Sequence, residues 1–170
     1  MGDSKALAAL TLALVCALGS AGCAYMPESL ERPFRKPGTR LVDFPEQVST
    51  EYDCGHQKLP WFKLEKLEVW PKRIEAGQDL GQRFVYVLCA ANPTAVVTGK
   101  LERRIIYNSE PVLRDTDAKY ELRAGRWMVD VVVTVPAAAP EGLYALELEF
   151  KGSGVKFIGS ETFAVEAASK

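Results

Sequence analysis

From Arg126 to Val135 the chain alternates: Trp127, Val129, Val131, Val133 and Val135 fall on one side of an extended backbone, with Asp130 and Thr134 on the other. A period of two is the signature of a β-strand, because successive side chains leave a strand on opposite faces. The pattern returns in Tyr144, Leu146, Leu148 and Phe150, set against Ala145, Glu147, Glu149 and Lys151. A Gly152-Ser153-Gly154 turn leads to a last strand, Val155 to Glu166, with Phe163 and Val165 facing inward. Gln82 to Ala91 is apolar on both faces, Phe84, Tyr86 and Leu88 against Val85, Val87 and Cys89, as a central covered strand requires. In Trp61 to Trp70 the positions Leu64, Leu67 and Val69 break strict alternation, which predicts a β-bulge. Gly99 to Tyr107 reads as a further strand, with short extended pieces near Val112 and Tyr120. About seven strands, with turns every ~8–12 residues, predict an all-β antiparallel sandwich over residues 61–167.

The N-terminus has a different texture. Ala6 to Leu18 is an uninterrupted apolar run of 13 residues, too short to span a bilayer, which takes about 20. With Lys5 before it and Gly19-Ser20-Ala21-Gly22 behind it, the run fits the core of a signal peptide, residues 1–22. Being apolar on every side rather than along one stripe, it does not fit a buried helix of a cytosolic fold. Cys23 follows directly and resembles the lipid-acceptor cysteine of bacterial lipoproteins. Ala21, Gly22 and Cys23 match that pattern, whereas Ser20 stands where a leucine is usual. The resemblance implies export and a lipid anchor on Cys23, with ordinary secretion after Ala21 or Ala24 as the competing reading. Ala24 in place of an aspartate favours the outer membrane over the inner. Residues 23–60, with Pro27, Pro33, Pro37, Pro45 and Pro60, read as a Pro-rich tether. Leu41, Val42, Phe44 and Tyr52 suggest that its second half packs on the domain.

Removing residues 1–22 leaves roughly 148, enough for one domain with its own core. Lys and Arg number 21 against 22 Asp and Glu, so net charge implies no nucleic-acid partner. The body retains two cysteines, Cys54 and Cys89. In an oxidising compartment a disulfide between them is expected. The alternatives are free thiols or a metal held by Cys54, His56 and Asp53, although a zinc site wants three or four ligands.

Glu141-Gly142-Leu143-Tyr144-Ala145-Leu146 resembles the entry to strand F of immunoglobulin-like and fibronectin-type-III-like sandwiches. There a tyrosine near the strand start bonds back to the backbone at a corner, two residues before a core position. The resemblance implies that Tyr144 is that tyrosine, with Gly142 allowing a close approach. It covers about Trp61 to Ala167 and places strands B, C, E and G on Gln82–Ala91, Leu101–Tyr107, Arg126–Val135 and the final strand. Leu146 stands where antibody-type domains carry their second cysteine, so Cys89 must look elsewhere, which favours Cys54. The strand C candidate also lacks the usual buried tryptophan.

Residues suited to chemistry are sparse. His56 is the single histidine of the chain and lies beside Cys54, where an exposed loop is expected. Glu147 and Glu149 share a strand face about 7 Å apart, but alternating Glu is the ordinary solvent face of an antiparallel sheet. Arg114-Asp115-Thr116-Asp117 lacks the ligand pattern that Ca²⁺ wants and reads as a turn. No phosphate-cradling glycine loop or dinucleotide fingerprint occurs, so no cofactor and no catalytic group are expected. Trp61 and Trp70 could form a sugar-stacking platform; Trp127, in register with four valines, is expected in the core. These features favour a lipid-anchored, non-catalytic envelope module that binds a protein partner, with glycan or cell-wall binding as the alternative.

Overall fold

A computed structural model describes residues 36–167. The expected signal peptide of residues 1–22, Cys23 and the first third of the expected tether lie outside the described residues. Two sheets face one another, antiparallel throughout except for one short edge strand. The first runs β1 (Gly38–Asp43), β7 (Gly125–Thr134), β4 (Asp79–Cys89), β2 (Trp61–Trp70). The second runs β3 (Arg73–Glu75), β9 (Val155–Glu166), β8 (Gly142–Gly152), β5 (Val96–Tyr107), β6 (Glu110–Arg123). With β2, β4 and β7 as strands A, B and E, and β5, β8 and β9 as C, F and G, the order is that of an immunoglobulin-like sandwich. The tether segment β1 takes the place of strand D beside β7. β3 continues β2 onto the other sheet and pairs with β9 in parallel.

The alternation sorts the side chains as expected. Leu80, Phe84, Tyr86 and Leu88 of β4 and Leu146, Leu148 and Phe150 of β8 fill the space between the sheets, each at most 1% exposed. The bulge falls at Glu65, where the register against β4 shifts between Leu64 and Lys66. That single extra residue lets Leu64 and Leu67, three apart, face the same core. The other face of β4 is covered too: Val87 and Cys89 pack with Val48 and Cys54. Trp127 lies half-buried at the margin of the core, its indole N–H donating to the Ala124 carbonyl at 2.9 Å.

Three sequence expectations need correction. A helix, α1 (Pro45–Tyr52), lies in residues 23–60, which the sequence reads as a Pro-rich tether. Pro45 opens it, the Gln47 side chain accepts the Phe44 N–H at 2.9 Å, and Asp53 closes it in the left-handed region at φ 49°. Second, Arg114–Asp117 is no turn: it belongs to the long strand β6, which joins the two pieces near Val112 and Tyr120. A register shift against Gly99 and Leu101 divides that strand, and the Asp117 carboxylate accepts the Lys119 N–H there at 2.9 Å. Third, a turn read from Glu75 to Asp79 in the sequence starts on the last residue of β3 and ends on the first of β4.

Tyr144 makes the corner. Its hydroxyl donates to the Pro140 carbonyl at 2.6 Å and its ring stacks on Tyr107 with centroids 4.6 Å apart. Gly142 is needed because a Cβ there would sit 2.8 Å from the Tyr107 ring. Tyr144→Phe is expected to lose about 1 kcal/mol, the net worth of one hydrogen bond, readable by urea denaturation.

Candidate functional site

Interactions gather at the pole of the sandwich where α1 sits. There the Cys54–Cys89 disulfide forms, with Cα atoms 5.5 Å apart, joining the short 3-10 turn Cys54–His56 to the end of β4. The free-thiol and metal alternatives for these cysteines therefore fall away. A cleft of about 410 Å³ lies beside it, between Pro45, Glu46, Ser49 and Thr50 of α1 and the Ala90–Pro93 turn.

Arg126 of β7 organises the same pole. Its guanidinium bonds to Glu65 at 2.9 and 3.0 Å, to Glu51 at 2.8 Å, to the Tyr52 hydroxyl at 3.3 Å and also to Asp43. One cation thus ties together β1, α1 and β2, and the β2 bulge is what aims Glu65 at it. Burial pushes the Glu65 carboxyl up, but the Arg126 and Tyr52 hydrogen bonds and the charges of Arg126 and Lys63 more than offset this. The net result lies below its ordinary 4.5. The folded chain therefore holds this proton less readily than the unfolded chain. Its contribution is complete above the unfolded value and is lost as pH falls through the depressed one. Urea midpoints are expected to be flat down to about pH 5 and to drop below it, with Glu65→Gln flattening the drop.

The outer face of the five-stranded sheet carries a second network. Glu102, 6% exposed, accepts from Lys100, Arg104 and Arg114 at 2.5, 3.4 and 3.4 Å. Arg104 also holds Glu147 at 3.1 Å and Glu149 at 3.3 Å. The Lys100 hydrogen bond is the main reason the Glu102 carboxyl lies below its ordinary value, and Lys151 does the same for Glu149. Glu147 and Glu149 are thus partners of one arginine, and the Glu149 carboxyl is lowered, where a general acid needs a raised one. His56 is exposed, its Nδ1 2.7 Å from the Asp53 carboxylate.

The two tryptophans do not form a platform. Both lie on the outer face of β2, but at opposite ends, about 30 Å apart at ~3.3 Å per residue. Trp70 is 8% exposed and its ring covers Gly81, where an added Cβ would come within 2.2 Å. Trp61 is half-buried against Tyr52, with ring centroids 5.4 Å apart. No group of three or more metal-ligating side chains occurs among the described residues.

Sequence reasoning missed two buried polar sets. Arg83 of β4 and Asp130 of β7 stand opposite in register and form a two-point ion pair at 2.7 and 2.8 Å. Between the sheets, Arg103 of β5 donates to Gln82 of β4 at 3.0 Å and to Asp115 of β6 at 3.1 Å. The only signal for the second was a polar residue at an inward position in each of two otherwise apolar strand faces.

No family model matches the chain, and no curated protein sequence matches it. Among solved structures it is similar to the alkylpurine DNA glycosylase AlkC of Pseudomonas fluorescens, bound to DNA containing an abasic site analog (17% identity, TM-score 0.43, 62% of this chain and 30% of that one). It is also similar to a Paenibacillus cycloisomaltooligosaccharide glucanotransferase complexed with cycloisomaltoheptaose (16% identity, TM-score 0.43, 64% and 14%). A third is the sporulation control protein Spo0M of Bacillus subtilis (11% identity, TM-score 0.39, 64% and 50%). The matched region is half or less of each of these chains, and nothing about function follows from them.

Proposed function

We propose that the chain is an exported, lipid-anchored module of a bacterial envelope that works by binding protein and performs no catalysis. The observation that carries export is the disulfide: Cys54 and Cys89 are 6% and 2% exposed and joined, as suits an oxidising compartment. It supports the reading of Ala6–Leu18 as a signal peptide and of Cys23 as the lipid acceptor. Binding is supported by where the polar side chains are spent. Glu147 and Glu149 are engaged by Arg104, and His56 stands exposed with Asp53. Of the two tryptophans considered for a glycan platform, Trp70 is buried and Trp61 is partly exposed.

Mass spectrometry of the chain from its native membrane tests the anchor. The mature N-terminal peptide is expected to begin at Cys23 with the added mass of acyl chains, and Cys23→Ala is expected to move the protein to the soluble fraction. An unlipidated mature N-terminus, or a reduced protein in the cytosol, would overturn the reading.

A further inference from the structure

Strand addition needs a free edge, and the sandwich guards most of its own. β6 has Pro111 as its second residue and carries a bulge beside Lys119 together with Arg114, Asp117 and Glu121. β2 carries the Glu65 bulge between Lys63 and Lys66, and β3 is only 3 residues long. Such devices blunt edges against foreign strands. One stretch has none of them. β1 pairs with β7 from Arg126 to Asp130 only. Beyond it, Val131-Val132-Val133-Thr134 has no strand on that side among the described residues, and no charge, proline or bulge.

Its backbone is aimed outward. Val135 donates to the Gln78 carbonyl at 3.0 Å and accepts from the Gly77 N–H at 3.2 Å, so both its groups turn to β4. Successive residues of a strand alternate, so Val132 and Thr134 turn theirs to the open side. Ahead of β1, Lys36 and Pro37 belong to no strand.

The interior also opens at this level. Val131 is half-buried, while its inward neighbours Val129 and Val133 are 3% and 8% exposed. Opposite Val131 in register stands Gln82, 0% exposed. Its Oε1 is taken by Arg103, and its buried Nε2 donor has no partner. An unmet buried donor costs about 1–3 kcal/mol, so it marks a place where an acceptor belongs.

We propose that an extended segment of a partner protein adds to the sheet along Val131–Thr134, in line with β1, with one inward carboxylate or amide oxygen accepting from Gln82 Nε2. This rests on the protein-binding reading and names the edge and the partner's chemistry. Amide hydrogen exchange of the full chain, in isolated native envelopes and after purification from them, tests it. Exchange over 131–135 is expected to be at least ten-fold slower in envelopes, with 110–123 unchanged. Val132→Pro removes an outward N–H and is expected to abolish the slowing. Gln82→Glu keeps the acceptor for Arg103, removes the donor, and is expected to weaken the slowing at least ten-fold. Slowing at another surface would overturn the site and leave protein binding standing. Slowing that Gln82→Glu does not alter would overturn the inward acceptor, water being then the natural occupant. No slowing anywhere in the chain would overturn protein binding itself.

Discussion

Opening the Cys54–Cys89 bond, by reductant or by the double change Cys54→Ser and Cys89→Ser, is expected to lower stability by about 3–4 kcal/mol. The sequence separation is 35 residues, and the chain-entropy cost of closing a loop that long is of this order at 25 °C. For a domain of this size the melting temperature should fall by roughly 10–15 °C. The loss should exceed that of a surface disulfide because the bridge lies in a small apolar cluster with Val48 and Val87. Without it, the contacts of α1 with β4 rest on that cluster and on Arg126. Thermal melts with and without reductant measure the effect, and a shift of only a degree or two would mean that the bridge stabilises little.

Arg126→Ala is expected to cost about 2–4 kcal/mol. Removing one partner of a buried ionic group is expensive because the others remain without compensation. Here three carboxylates, Asp43, Glu51 and Glu65, would be left facing one another. The figure lies at the lower end for buried pairs because Asp43 and Glu51 are 30% and 51% exposed. Arg126→Lys should recover only part of the loss, since one ammonium cannot serve acceptors arriving from three elements as a planar guanidinium does. Glu51→Gln should change stability by less than about 0.5 kcal/mol. The deficit should be local. Amides of β1 and α1 should exchange much faster in Arg126→Ala while those of β8 keep their protection, readable by hydrogen-exchange mass spectrometry.

The legible part of the fold was the part with a period. β4, β7 and β8 alternate because one or both faces are buried, and Leu64 and Leu67 announced the bulge because two core residues three apart cannot otherwise share a face. Cysteine arithmetic paired Cys54 with Cys89, and the spacing around Tyr144 marked its corner. What escaped notice had no period to show. α1 has 8 residues and one buried apolar side chain, Val48, so its helical state is set by the bridge and by Arg126, with Pro45 and Gln47 as faint local signals. β6 is exposed along almost its whole length, so its charges read as a turn. The Arg126 cluster draws on Asp43, Glu51 and Glu65, each an ordinary surface acid in sequence, which only the topology brings together. Trp70 looked available for a sugar-stacking platform because nothing in the sequence says that Gly81 lies beneath it.

Bacterial envelope proteins that act through partners are best recognised in place. In-cell crosslinking of the full-length chain, followed by mass spectrometry of what is recovered with it, is the most direct measurement. The expected result is a reproducible protein partner that is lost from the Val132→Pro variant. Recovery of the chain alone, or with glycan or wall fragments only, would contradict the protein-binding account.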